Sequence, residues 1–199
     1  MRRHTPGAAF FVVLGHACFV ATMLGCYAIE PSEKAVRLGL SYYGNHLATI
    51  GPYVTGFGLC VTFTILGLHR LRSSDAAVRR FRSSVGVVTA LMLPIPLTPY
   101  SLDPIFDWLH LSVAAVLFAA GYLLGLRLVL ADRGDRMSCA FFAVQTLAAL
   151  AIVAAQLGLN DYMIPSELSF QLAVVGLVVR RLLKLTPLIV VGSRHGVTG

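Results

Sequence analysis

The sequence predicts an all-α integral membrane protein: a bundle of six transmembrane helices with both termini in the cytoplasm. Three observations carry that expectation. The 199 residues are 57% apolar and only 13% charged, with a mean hydropathy of +0.77; a soluble domain carries about 45–50% and about 25%. So little charge cannot cover a globule, which excludes a soluble single domain. Apolar runs near the ~20 residues needed to cross a ~30 Å hydrocarbon core recur along the whole chain, which excludes disorder, a coiled coil and a collagen-like repeat. The third observation is where the charges fall.

The spans read in order as Ala8–Ala28, His46–Leu68, Ser84–Leu102, Trp108–Ala131, Cys139–Leu159 and Pro165–Leu183. The third is interrupted in its outer half by Pro94, Pro96 and Pro99. All are continuous runs rich in Leu, Ala and Val rather than the alternating ten-residue segments of a β-barrel. The first begins MRRHTP and ends Cys26-Tyr27-Ala28, a pattern a cleaved leader also shows. Its apolar stretch exceeds the 7–15 residues of an ordinary leader core, so it is read as a span. The four cysteines, Cys18, Cys26, Cys60 and Cys139, fall in or beside spans without CxxC spacing, as buried apolar thiols do.

Six spans with the N-terminus inside place 14 of the 16 basic residues on one side: Arg2, Arg3, Arg70, Arg72, Arg79, Arg80, Arg82, Arg127, Arg133, Arg136, Arg180, Arg181, Lys184 and Arg194. Only Lys34 and Arg37 fall outside. Six of the nine acids lean the other way, Glu30, Glu33, Asp103, Asp107, Asp161 and Glu167, against Asp75, Asp132 and Asp135 inside. Positive residues in short loops mark the cytoplasmic face. The net charge of +7 is therefore a topology signal rather than a nucleic-acid footprint, and membrane lipids are the expected surroundings. The spans form one membrane domain, closed by a tail from residue 184 whose run Leu188–Val191 is too short for a seventh span.

Polar residues at membrane depth are functional candidates by default. His16 and Gln145 stand at similar depth in spans one and five, and a hydrogen bond between them would satisfy both. Gln156 and Gln171 lie towards the outer ends of spans five and six, where they could join a polar pocket. No Asp or Glu sits deep in a span, which disfavours an ion-coupled transporter. The richest constellation is outside. Asp103 or Asp107 starts span four and caps it or favours its N-terminal dipole, and Asp107 and His110 share one helix face. Tyr42, Tyr43 and His46 stand at the end of the first outer loop, where Gly39 and Gly44 permit tight turns. If the hairpins pack closely, Tyr42, Tyr43, His46, Asp103, Asp107 and His110 line an outer pocket, with Asp161 or Glu167 nearby. Such a cluster serves as caps and interhelical hydrogen bonds, as a lipid or small-ligand site, or as an acid–base pair acting on a lipid. GxSxG, P-loop, dinucleotide and HExxH patterns are absent from the sequence, and neither a cofactor nor a metal is expected.

The six-span layout, the turn Ser41-Tyr-Tyr-Gly44-Asn45, the proline-broken third span, and Leu109-His110 opening the fourth together resemble the DUF998 family of bacterial multi-pass membrane proteins. More distantly they are similar to the FRAG1/DRAM/Sfk1 group, which shares an outer Ser-x-x-Gly turn and a His at the start of a later span. Ser41, Gly44 and His110 carry the likeness; where the family ends span three in Gly-x-Phe-Pro, this chain has Leu93-Pro94-Ile95-Pro96. The resemblance implies a bacterial inner-membrane location and no assigned activity. A lipid- or ligand-binding membrane protein is the leading expectation. An enzyme acting on a lipid or isoprenoid is the second, and a small-solute transporter the third.

Overall fold

The computed structural model describes residues 7–71, 75–98 and 103–192. Arg2, Arg3, Arg72, Pro99, Ser101, Leu102 and Arg194 lie outside them. Seven α-helices follow one another: α1 (Ala8–Ile29), α2 (Glu33–Leu38), α3 (Ile50–His69), α4 (Ala76–Ala90), α5 (Pro104–Leu130), α6 (Arg136–Gln156) and α7 (Met163–Gly192). Short 3-10 turns cover Leu40–Asn45 and Ile95–Leu97, and the described residues contain no strand. The chain is all-helical. Among the described residues, four helices, α1, α3, α5 and α6, are long and apolar enough to cross a membrane. In the most apolar stretches of α5 and α6 only 22% of residues are buried inside the protein. The apolar faces left outside, including Leu123, Leu147 and Leu150, need lipid rather than water around them.

Helix starts are written in local chemistry. Asp75, Asp103 and Asp135 each stand one residue before a helix, and their carboxylates accept the N–H two residues on, from Ala77 at 2.6 Å, Ile105 at 2.8 Å and Met137 at 3.2 Å. Each satisfies a donor that the first turn leaves without an intrahelical partner. Of the two acids expected to start the fourth span, Asp103 is the cap, with Pro104 in the first helical position.

The third apolar run behaves differently from the rest. Its helix, α4, starts before Ser84 and stops at Ala90. Pro94 has no N–H to give the Ala90 carbonyl, and its ring crowds that carbonyl. The chain therefore tightens first: Met92 donates to Thr89 and Leu93 to Ala90 in 3-10 fashion, leading into the turn at Ile95–Leu97. At the other end of the chain α7 continues helical to Gly192, past the expected end at Leu183.

Packing falls into two bodies of side chains. One joins α1 to α3 and the Leu40–Asn45 turn through Phe19, Met23, Tyr43, Tyr53 and Phe57. The other joins α4–α7 to one end of α1 and α3 through Val12, Leu68, Phe81, Leu124, Ile152 and Leu177. Where α1 crosses α3, the backbones approach closely at Gly15 and Gly67. A methyl group on Gly15 would stand 3.0 Å from the Cys60 carbonyl oxygen, and one on Gly67 2.8 Å from that of Ala8. Small residues at a crossing are what let membrane helices pack this tightly.

Candidate functional site

The first outer loop is built in two steps. Ser32 Oγ caps α2 by accepting from Lys34 N–H, and α2 ends at Gly39, whose φ of +81° with ψ of −170° is a conformation open almost only to glycine. This reverses the chain into the turn Leu40–Asn45. A Cβ on Gly39 would meet both Glu167 carboxylate oxygens at 2.8 Å, and Leu40 N–H donates to Glu167 Oε2 at 2.7 Å. Glu167, on the first turns of α7, thus holds the backbone immediately before Ser41.

Ser41 meets His110. His110 Nε2 lies 2.7 Å from Ser41 Oγ, and Nδ1 lies 2.6 Å from the Thr98 carbonyl oxygen. A carbonyl only accepts, so the proton sits on Nδ1; Nε2 of the neutral ring is then an acceptor, and Ser41 donates its hydroxyl proton to it. The Thr98 hydroxyl, 3.2 Å from Nδ1, donates to the Pro94 carbonyl at 3.0 Å. The Pro94–Pro96 break in the third apolar run thereby gains a role, because it ends on the carbonyl that sets the His110 tautomer. Tyr53, fully buried on α3, presents its hydroxyl beside Ser41, and Gly44 packs directly against the Tyr53 ring. Ser41, Gly44 and His110 converge on one place.

Two cavities border this cluster. A small one of about 80 Å³ lies against Phe19, Tyr53, Phe57 and Gln171. The larger, about 630 Å³, runs between α5, α6 and α7 from Ser41, His110 and Glu167 past Phe118 to Tyr122 and Ile152, with Arg37 and Gln156 also in its lining. Its volume lies inside the 300–1,000 Å³ range of ligand sites, and an apolar wall with a few polar groups at one end is their usual composition. Gln156 lines the large cavity and Gln171 the small one, rather than sharing one polar pocket. Arg37 also pairs with Asp161 at 3.1 Å, both side chains exposed.

Of the six residues expected to line one outer pocket, His110 alone faces the large cavity. Tyr42, Tyr43 and His46 form a separate group. The Tyr42 hydroxyl donates to Glu30 at 3.1 Å, His46 Nδ1–H donates to the Tyr42 carbonyl at 2.9 Å, and His46 Nε2 stands 3.4 Å from Glu30. The Tyr42 and His46 rings lie 4.1 Å apart. Tyr43 is entirely buried, and loss of water around it pushes its phenol up to about 12, the nearby Cys26 thiol adding to the effect. Asp103 is an exposed cap, and Asp107 lies in the first turn of α5. His46 and His110 diverge because the turn between Ser41 and His46 sends the two ends of that segment to different helices. His16 and Gln145 also take separate partners: His16 Nδ1–H donates to Val12 at 2.9 Å within α1, while Gln145 donates to the Gly121 carbonyl at 2.9 Å, joining α6 to α5. Among the described residues, no three His, Cys, Asp or Glu side chains gather as metal ligands would.

At the far end of the bundle the polar chemistry is ionic. Asp135 accepts from Arg180 at 2.7 Å and Lys184 at 2.7 Å, and Lys184 also pairs with Asp132. Hydrogen bonds from Arg180 first, then Lys184, hold the Asp135 carboxyl well below the usual carboxylate range.

Residue-by-residue reading undervalued Thr98, Tyr53 and Glu167. Glu167 carried one signal, being the sole acid within the sixth apolar run. Compared with protein-family models, with curated proteins and with solved structures, the chain finds no match in any of the three.

Proposed function

We propose that this chain is a six-span membrane protein, both termini cytoplasmic, that holds the acyl chain of a lipid in the cavity between α5, α6 and α7. The cavity carries the reading: about 630 Å³, apolar along its length and polar at the Ser41–His110–Glu167 end. From His110 to Tyr122 it follows α5 for about 18 Å at 1.5 Å per residue. That is close to half of a ~30 Å hydrocarbon core, the depth of one leaflet's chains. Polar groups at one end of an apolar slot suit a molecule that is polar at one end.

Two observations favour the six-span arrangement. Every ion pair found among the described residues joins partners that the charge count assigns to the same side: Arg37 with Asp161 and His46 with Glu30 outside, Asp132 and Asp135 with Arg180 and Lys184 inside. α4 at 15 residues reaches only about 22 Å, and the 3-10 continuation to Leu97, at ~2 Å per residue, supplies the rest of a crossing. Convergence of Ser41, Gly44 and His110 likewise supports placing the chain beside the DUF998 proteins of the bacterial inner membrane.

The test is photocrosslinking of a phospholipid bearing a diazirine in its acyl chain, followed by peptide mapping. Adducts are expected on α5–α7 around Phe118 and Ile152, and Ala115→Trp, which fills the cavity, should remove them. Adducts spread evenly over outward faces such as Leu147 and Leu150, unchanged in Ala115→Trp, would reject the site. Topology is read separately, by labelling single cysteines at positions 34 and 133 with an impermeant maleimide in spheroplasts. Labelling is expected at position 34 alone.

A further inference from the structure

We propose that Ser41 and His110 form a nucleophile–base pair that hydrolyses a long-chain carboxylic ester held in the large cavity; this rests on the cavity being a lipid site. Four features of the arrangement carry it. Ser41 Oγ donates to His110 Nε2 across 2.7 Å, within the range a general base needs to take a proton. The opposite ring nitrogen donates to a fixed carbonyl at 2.6 Å, which sets the tautomer and orientation, the part a third group plays in nucleophile–base–orienter systems generally. Ser41 lines both cavities, which puts the residue beside any ligand there, while His110 is almost fully buried. And Ser41 stands in the outer turn rather than inside a span, so a chain lying down the cavity presents its ester carbon at the level of Ser41. A hydrogen bond serving only to staple helices would not need its hydroxyl member on a cavity wall.

The chemistry balances without a cofactor. Ser41 Oγ attacks the ester carbonyl carbon, and its proton passes to His110 Nε2, whose positive charge is shared with the Thr98 carbonyl through Nδ1–H. The Tyr53 hydroxyl, which hydrogen-bonds Ser41, would have to transfer its donation to the oxygen that becomes negative. The carbon–alkoxy bond breaks, and the leaving alcohol takes the proton from Nε2. Water then adds to the acyl carbon with His110 again as base, the Ser41 Oγ–carbon bond breaks, and Ser41 recovers its proton. One ester and one water become one carboxylic acid and one alcohol. Glu167 and Thr98 are positioning residues: one fixes the backbone before Ser41, the other the ring of His110.

The experiment treats the full chain in detergent micelles with a hexadecyl fluorophosphonate and locates the adduct by peptide mass spectrometry, with the diazirine phospholipid run in parallel. A single adduct on Ser41 is expected, with its rate falling about 10²–10⁴-fold in His110→Gln, no adduct in Ser41→Ala, and release of fatty acid from phosphatidylcholine vesicles by the unmodified chain alone. Crosslinking in the cavity without an adduct on Ser41 overturns the dyad and leaves the lipid site standing. Loss of both removes the lipid site itself. If either variant fails to give a monodisperse protein, the adduct position on the unmodified chain decides, and Ser41→Cys, which keeps the side chain's size, should react with a hexadecyl iodoacetamide faster than Cys139.

Discussion

At the start of α5, His110 stands neutral between a carbonyl and a hydroxyl with a cavity beside it. Past its end, about 30 Å away for the 20 residues from His110 to Leu130 at 1.5 Å each, Asp132 and Asp135 are closed onto Arg180 and Lys184. Both clusters tie α5 or its connection to α7, and they do it by opposite means. The ionic end uses full charges where water and headgroups solvate what remains exposed, so its groups are consumed in holding one another. At the other end His110 itself is held by a carbonyl and a hydroxyl, pairing that a low dielectric tolerates, and Ser41 and His110 both line the large cavity. Strong charge pairing closes one end on itself; directional pairing at the other leaves its members on a cavity wall.

Breaking the turn that presents Ser41 should cost most. Gly39→Val forces a β-branched residue into a glycine conformation, costing about 1–3 kcal/mol, and drives its Cβ against Glu167. A drop in detergent-solubilised melting temperature, together with loss of fluorophosphonate labelling, is expected. A variant as stable and reactive as the parent would show that the turn is not needed. Glu167→Ala comes next, because Leu40 N–H loses its acceptor at a cost of about 1–3 kcal/mol. Glu167→Gln, which still accepts, should restore both stability and labelling rate; failure of that rescue would mean that the charge, rather than the hydrogen bond, matters.

Asp135→Asn tests the other end. The melting temperature should fall while the labelling rate of Ser41 is unchanged, which separates the two clusters. Its pH signature follows from direction alone. The folded carboxyl sits below its unfolded range, so its stabilisation is present above the ordinary carboxylate value of ~3.9. It is lost only as pH falls from there towards the lowered folded value. Midpoints measured from pH 7 down to pH 3 should therefore decline in the parent more steeply than in Asp135→Asn. The smallest effect belongs to Arg37→Ala, because an exposed pair such as Arg37–Asp161 contributes about 0–1 kcal/mol. A larger loss would mean that Arg37 is engaged in the cavity lining.

Much of the fold was legible in order because its causes are local. Apolar runs long enough for a bilayer, aspartates one residue ahead of helices, and prolines that forbid a carbonyl bond all act within a few residues of themselves. The third run shows the limit of that locality. Pro94 announces a break, yet where the helix ends depends on which carbonyl the proline abandons, and Ala90 is found by counting back one turn. Gly39 was equally readable, since only a turn requires its conformation.

The site was legible only in fragments. Ser41, Gly44 and His110 stood out separately; of the companions expected for His110, Asp107 is near enough for its charge to act on the ring, while Asp103 and His46 take other partners. Asp103 and His46 seemed natural partners because they are polar and near in sequence or depth. Helix rotation and the reversal at Gly39 decide otherwise, sending His46 to Glu30 and turning Ser41 towards α5. A dyad whose members are 69 residues apart leaves no local motif, unlike a nucleophile fixed by its own turn.

Sequence alone therefore determined an all-helical chain suited to a membrane, an acidic cap at the start of α5 and the proline break, because each follows from residue type and spacing along one segment. Tertiary structure alone decided that Ser41, Thr98, His110 and Glu167 meet beside a cavity. Hydrogen-bond partners a few ångströms apart are set by how four segments from distant parts of the chain rotate and pack, and no periodicity within any one of them carries that information.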